Sequence, residues 1–166
     1  MTLAELGWLF TLGVLVHNAE EAVWLPAWSV QAGRWHAPVG AGEFRFAVGV
    51  LTLFFVLAAA WASMGEAGSF PAYLMAGCVL TMVLNVVFPH LLATVFMRKY
   101  MPGTATALLL TLPLGSLYLK EAITGHHIDP GVFVWAGPLT AVLVAASLPL
   151  LFMLGRKIFG SARQRP

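Results

Sequence analysis

Charged residues are scarce in this chain. Its 166 residues include 9 Lys and Arg and 7 Asp and Glu, together 10% of the sequence, whereas soluble domains carry about 25%. Hydrophobic residues make up 60% of the chain and aromatic residues 12%. The low charge excludes an ordinary soluble domain, and the apolar content excludes a disordered chain. The sequence therefore predicts an integral membrane protein, in which each charge lies in water or has a partner within the membrane.

Cysteine and basic patches are also nearly absent. Cys78 is the one cysteine, so the chain cannot form an internal disulfide. The net charge is +2, which on so apolar a chain leaves no basic face, and we expect no nucleic-acid partner. We expect a membrane lipid or an apolar small molecule as the partner instead, and the chain could also form a homo-oligomer.

Five long apolar stretches follow one another along the sequence. A helix needs about 20 apolar residues to cross a hydrocarbon core roughly 30 Å thick, and short segments punctuated by glycine and proline separate the stretches. They predict an all-α bundle of five transmembrane helices, residues 1–155, followed by a basic cytoplasmic tail, residues 156–166. The predicted spans cover about residues 3–25, 46–64, 70–97, 104–120 and 132–154.

The positive charges predict the orientation of this bundle. Cytoplasmic loops are enriched in Lys and Arg. With the N-terminus outside, Lys120 faces the exterior and the other eight lie inside: Arg34, Arg45, Arg98, Lys99, Arg156, Lys157, Arg163 and Arg165. We therefore predict an outside N-terminus, a cytoplasmic C-terminus and a multi-pass protein of the cell membrane.

Two carboxylates, Glu20 and Glu21, fall within the polar end of the first apolar helix, which continues beyond them. His17 precedes them by three and four residues, so on a helix its imidazole and both carboxylates share one face. At about 1.5 Å per residue, His17 and Glu21 lie roughly 21 and 27 Å along the first span, and Asn85 and His90 lie roughly 21 and 28 Å along the third. The matching depths predict one polar site in the cytoplasmic half.

Other residues are candidates for supporting roles. Pro89 removes a helix hydrogen bond directly before His90 and is expected to kink the third span. Arg45 opens the second span, where its guanidinium could keep a carboxylate ionised or bind a lipid phosphate. Thr106 is close to the site in depth, and Tyr100 lies at the entrance to the fourth span. His126 and His127 also look like metal ligands, but they fall in a loop predicted on the opposite side of the membrane.

The chain carries three motifs at defined positions: His17-x-x-Glu20-Glu21, Asn85 with His90, and Tyr100-x-Pro102-Gly103-x-x-Thr106. Together they resemble the HXXEE domain family of small polytopic membrane proteins. The resemblance covers about residues 6–120. It implies a polytopic membrane fold with a site at the matched residues, and it implies no particular reaction.

Two imidazoles and two carboxylates are enough to hold a divalent metal such as zinc or iron. With His17, His90 and one of the two Glu residues as ligands, the other Glu could take a proton from metal-bound water, as in a metal-assisted hydrolase. With iron, the same set suits an oxidoreductase. The sequence thus favours a metal-dependent enzyme acting on a lipidic or apolar substrate, with Glu20 and Glu21 as catalytic residues or metal ligands.

Three alternatives remain open. Two carboxylic acids beside a histidine could serve as acid and base without metal, as in a lipid isomerase of the emopamil-binding type, to which the chain is similar in architecture and residue types. Intramembrane Glu and His are also common in proton- or ion-coupled transporters, although no inverted repeat is visible. Finally, the carboxylates could form a structural network with Arg34 or Arg45.

Overall fold

The computed structural model of the chain describes residues 1–33 and 37–159. In these residues the structure contains helices, turns and loops and no strand, so the all-α prediction is confirmed. The predicted cytoplasmic residues Arg34, Arg163 and Arg165 lie outside the described part. The five helices are α1 (Leu3–Gln31), α2 (Ala41–Met64), α3 (Phe70–Met97), α4 (Thr104–Thr124) and α5 (Pro130–Phe159).

Helices α2 to α5 are long and apolar enough to cross a membrane. Helix α1 has sufficient length, at 29 residues, but the polar run from His17 to Glu21 interrupts its apolar sequence. Four spans are therefore supported by length and composition. A fifth span through α1, and with it the orientation of the bundle, stays a prediction.

Four of the five helices extend past their predicted boundaries, because caps and charged side chains continue a helix beyond its apolar run. At the start of α1, Thr2 and Glu5 exchange hydrogen bonds between backbone and side chain. At the start of α2, the N–H of Gly40 donates to the Glu43 carboxylate at 2.7 Å. The last turn of α5 includes Arg156 and Lys157, which the sequence placed in a tail.

Pro26 lies inside α1 without ending it. A proline cannot donate to the carbonyl four residues before it, which here belongs to Ala22. The Nε–H of Arg45, at the start of α2, donates to that carbonyl at 3.0 Å. Arg45 therefore satisfies the acceptor that Pro26 leaves free, and it joins α2 to α1 one residue beyond Glu21.

Two apolar clusters hold the bundle together on either side of the polar site. The larger one contains residues from each of the helices α1, α2, α3 and α4, among them Leu6, Phe10, Val14, Phe55, Met75, Val79 and Tyr118. The smaller one lies near the opposite ends of α1 and α2 and includes Leu25, Trp28, Phe44 and Met101. Along α1, the polar segment that begins at His17 falls between the two clusters.

Helix α5 packs on α2 and α3 through small residues. A Cβ atom on Gly77 of α3 would lie 2.5 Å from Thr140 of α5, and one on Gly155 of α5 would lie 2.8 Å from the Cα of Glu43. Glycine permits such close approach of two helix backbones. Nearby, Arg156 and Glu43 form an ion pair at 3.4 Å. The residues of the polar site come from helices α1, α3 and α4.

Candidate metal centre

Two histidines from distant parts of the sequence meet inside the bundle. The rings of His17 on α1 and His90 on α3 have centroids 4.8 Å apart and planes at 85°, and both side chains are completely buried. Helix α3 is kinked at Phe88, where φ is −124° and ψ is 119°, next to the proline that the sequence singled out. The kink places His90, two residues after Phe88, opposite His17.

Glu21 completes this group from one turn further along α1. Its two carboxylate oxygens lie 3.2 Å from His90 Nε2 and 3.8 Å from His17 Nε2. One ligand atom from each of the three residues lies within 4.8 Å of the others. In a tetrahedral zinc site with bonds of about 2.0–2.2 Å, neighbouring ligand atoms are roughly 3.3–3.5 Å apart. The two distances from the Glu21 carboxylate, 3.2 and 3.8 Å, are close to this separation.

The hydrogen bonds of His17 orient its ring for such a role. His17 Nδ1 lies 3.1 Å from the carbonyl oxygen of Gly103, and since a carbonyl can only accept, Nδ1 carries the proton and donates. The other nitrogen, Nε2, then presents a lone pair toward Glu21. Metal-binding histidines are commonly held in this way by a backbone carbonyl. The amide of Asn85 also reaches His17 Nε2, at 3.5 Å, and so lies beside the lone pair.

His90 is buried without a conventional partner. Among the described residues, neither nitrogen of its ring has a hydrogen bond, although Nε2 faces the Glu21 carboxylate. Buried polar groups are nearly always paired. A cation between the lone pair of His17, one ring nitrogen of His90 and the carboxylate would give each of the three residues a partner, so the donor set fits a divalent metal.

Gly103 forms one wall of this centre. Its φ of +92° lies in the left-handed region that favours glycine. A Cβ atom there would lie 2.7 Å from the His90 ring, 2.9 Å from the His17 ring and 3.0 Å from Glu21. Gly103 belongs to the motif Tyr100-x-Pro102-Gly103-x-x-Thr106, but its contact with the histidines was not predicted from the sequence. The Pro102-Gly103 pair was the available signal for this tight turn.

Glu20 lies outside the group of His17, Glu21 and His90 and accepts hydrogen bonds from two hydroxyl groups. Tyr100 and Thr106 donate to its two oxygens at 2.5 and 2.6 Å, and Thr106 Oγ1 also lies 3.2 Å from His17 Nδ1. Burial and the hydrogen bond to Glu20 raise the pKa of the Tyr100 hydroxyl, which keeps it a donor. Glu20 is thus connected to the centre through Thr106, while Glu21 contacts the histidines directly.

The remaining candidates lie apart from this group. Arg45 is exposed, and within the described residues it forms no ion pair with Glu20 or Glu21. His126 is exposed and His127 half-buried, and His127 lines a cavity of about 230 Å³ that the first residues of α1 also line. His17 is some fifteen residues, or roughly 20 Å, further along α1. Neither His126 nor His127 belongs to the group that could hold a metal.

A comparison with protein families finds a family whose model spans the residues of this site. The family described as a protein of unknown function with HXXEE motif matches residues 8–118. The chain belongs to the HXXEE family. The HXXEE motif is His17-x-x-Glu20-Glu21, so its histidine and second glutamate are the two residues of α1 in the centre.

One relative of this HXXEE protein extends over nearly the whole chain. The uncharacterized protein YrkK of Bacillus subtilis (strain 168) is 36% identical over 149 residues, which cover 90% of this chain and 94% of the relative. No solved structure matches the chain. The family match includes every residue of the candidate centre and its hydroxyl partners.

Proposed function

We propose that this HXXEE protein is a five-span membrane protein, with its N-terminus outside and its C-terminus in the cytoplasm. In this proposal it is a metal-dependent enzyme that acts on a lipidic or apolar substrate. The observation that supports a bound metal is the proximity of two fully buried histidines and one carboxylate. The polar segment of α1 and the positive charges at its end of the bundle support the orientation.

The proposed ligands are His17, His90 and Glu21. Two histidines and one carboxylate leave open positions on zinc or iron, where a bound divalent ion can polarise a substrate oxygen or activate water. His17 is held by the Gly103 carbonyl, and Asn85 lies beside it. This arrangement supports a fixed ligand geometry rather than a flexible surface site.

Glu20 is the proposed acid and base. It lies one hydroxyl away from His17, since Thr106 contacts both residues, and Tyr100 donates to its other oxygen. A carboxylate held in this way can accept or release a proton beside the centre without itself being a ligand. The two adjacent glutamates therefore receive different roles.

Metal content and lipid turnover together test this function. The purified full-length protein, loaded with zinc or iron and then dialysed, is expected to retain about one ion per chain. His17→Ala and His90→Ala are expected to retain none, and His127→Ala serves as a matched control. In vesicles of a total membrane lipid extract, mass spectrometry should detect product formation by the wild-type protein that Glu20→Gln and His90→Ala both abolish.

The results distinguish the open alternatives. If the protein binds no metal but its lipid turnover depends on Glu20, the function is that of an acid/base isomerase and not of a metal enzyme. Ion or proton flux in sealed vesicles that depends on Glu20 or Glu21, without lipid products, would replace it by a transporter. Loss of thermal stability in these variants without either activity would leave a structural network.

A further inference from the structure

A groove opens beside the centre on the outer flank of α1. Its volume is about 460 Å³, and its lining includes Glu20, Trp24 and Trp28 from α1 and Tyr100 and Pro102 from the turn before α4. Ligand pockets commonly have volumes of about 300–1,000 Å³. Glu20 faces this groove, whereas His17, His90 and Glu21 do not line it.

The lining follows a stripe on one helix face. Glu20, Trp24 and Trp28 are spaced four residues apart, so their side chains lie one above the other along α1. Neither tryptophan is part of the HXXEE motif. The spacing Glu20-x-x-x-Trp24-x-x-x-Trp28 extends that motif into a row of one carboxylate and two indoles.

The charge of the groove is negative. Glu20 is the charged member of its described lining, which contains no Lys or Arg. The ammonium of Lys99 donates to Gln31 at 2.7 Å, and Gln31 lines the far end of the groove, eleven residues from Glu20 or roughly 16 Å along α1. At that separation a positive charge does not neutralise the carboxylate across an aqueous rim.

Aromatic faces beside a carboxylate attract organic cations. Indole and phenol rings interact favourably with ammonium groups, and quaternary ammonium ligands are bound by such aromatic surroundings. The two oxygens of Glu20 already accept hydrogen bonds from Tyr100 and Thr106. A quaternary ammonium needs no acceptor for N–H groups, so it suits this carboxylate better than a primary amine.

We propose that this groove binds the methylated ammonium head group of a membrane amphiphile, with Glu20 as the counter-charge and Trp24, Trp28 and Tyr100 as the aromatic contacts. The apolar part of the ligand would lie along the exposed flank of α1, where Val23 and Trp24 are 57% and 58% exposed. The inference that the groove binds this head group depends only on these residues. That the ligand is also the substrate rests on the proposed function.

Dodecyltrimethylammonium provides a direct probe. Its binding to the full-length protein in dodecyl maltoside micelles can be followed by tryptophan fluorescence, with dodecanol as the uncharged comparison and choline as the head group without a chain. We expect binding of the cationic amphiphile at least tenfold tighter than that of either comparison. Glu20→Gln is expected to weaken it at least tenfold and Trp24→Leu severalfold, while the exposed control Trp135→Leu leaves it unchanged.

Glu21→Gln separates this inference from the metal centre. We expect this variant to bind the ammonium probe within twofold of wild type and to lose zinc, and Glu20→Gln to show the reverse. Unchanged ammonium binding in Glu20→Gln, or equal binding of dodecanol, would overturn the cation site and leave the metal centre standing. Choline binding as tight as that of the amphiphile would overturn the membrane ligand. A wild-type protein that binds the ammonium probe but no zinc would count against the proposed function and not against the groove.

Discussion

The two histidine pairs of this protein differ in burial and in the contacts of their side chains. His17 and His90 are 73 positions apart in the sequence, yet their buried rings lie 4.8 Å apart with Glu21 beside them. His126 and His127 are neighbours in a loop, where one is exposed and the other half-buried. Adjacency in sequence did not produce a cluster, whereas a kinked helix and a left-handed glycine did.

The difference lies in how each pair is held. The Gly103 carbonyl fixes one nitrogen of His17, and the wall formed by Gly103 leaves space for both rings. In the loop, His126 has a positive φ of 56°, and the backbone of His127 accepts from Gly68 at 2.9 Å. The contacts of the buried pair therefore involve the histidine side chains, whereas those of the loop pair involve the backbone.

Removing a ligand gives the largest expected contrast between the two pairs. His90→Ala should weaken zinc binding by more than about 100-fold, because even residues outside the ligand set cost about 10–100-fold. The double variant His126→Ala with His127→Ala should bind zinc within twofold of wild type. Competition with a chelating dye measures both affinities. Equal losses of zinc affinity in the two variants would show that the buried pair is no more important for zinc binding than the loop pair.

A glycine from each region provides the second contrast. Gly103→Ala should destabilise the protein by about 2–5 kcal/mol, because a strained φ and a clash with both rings add together. Gly68→Ala shares a positive φ of 73° but has nothing within 4 Å of its Cβ position, so about 1–2 kcal/mol is expected. Thermal unfolding of the two variants measures the difference. A Gly103→Ala protein as stable as Gly68→Ala would contradict the close wall.

Thr106→Val tests the hydroxyl between His17 and Glu20. We expect zinc affinity to fall by about tenfold, at the low end for a residue that orients a ligand, because the Gly103 carbonyl still accepts from His17. Thr124→Val is the control on the same helix, since its hydroxyl donates to the backbone of Lys120 at the other end. An equal effect of both variants on zinc titration would show that Thr106 has no special role.

Tyr100→Phe should have the smallest effect. It removes one hydrogen bond to Glu20, worth about 0.5–1.5 kcal/mol, from a side chain that is half exposed. Zinc affinity is expected to change by less than about threefold. Tyr73→Phe removes a comparable phenol that accepts from Asp129 near the loop histidines, and should leave zinc affinity unchanged. A larger loss in Tyr73→Phe, measured by the same titration, would reverse the comparison.

Much of the fold follows from the sequence, because apolar runs mark the helices directly. The third helix has the predicted bounds. The structure brings His17 close to Asn85 and His90, the residues that the depth count along α1 and α3 grouped with it. Helix ends were less accurate, since they depend on caps such as Gly40 with Glu43. An apolar pattern contains no information about caps.

The different contacts of Glu20 and Glu21 could not be predicted. Adjacent residues on a helix are separated by about 100° of rotation, so the direction of each depends on how α1 is rotated against α3 and α4. The turn before α4 decides this, because it presents Tyr100 to one carboxylate and Gly103 beside the other. The role of Arg45 likewise required knowing that Pro26 lies inside α1 and leaves a carbonyl free.

The central claim is that His17, His90 and Glu21 hold one metal ion, and X-ray absorption at the zinc edge tests it most directly. For the zinc-loaded full-length protein we predict two imidazole nitrogens and carboxylate oxygen at about 2.0–2.2 Å, with one imidazole fewer in His90→Ala. A spectrum that is unchanged in His90→Ala, or that loses its imidazoles when His126 and His127 are replaced, would contradict the claim.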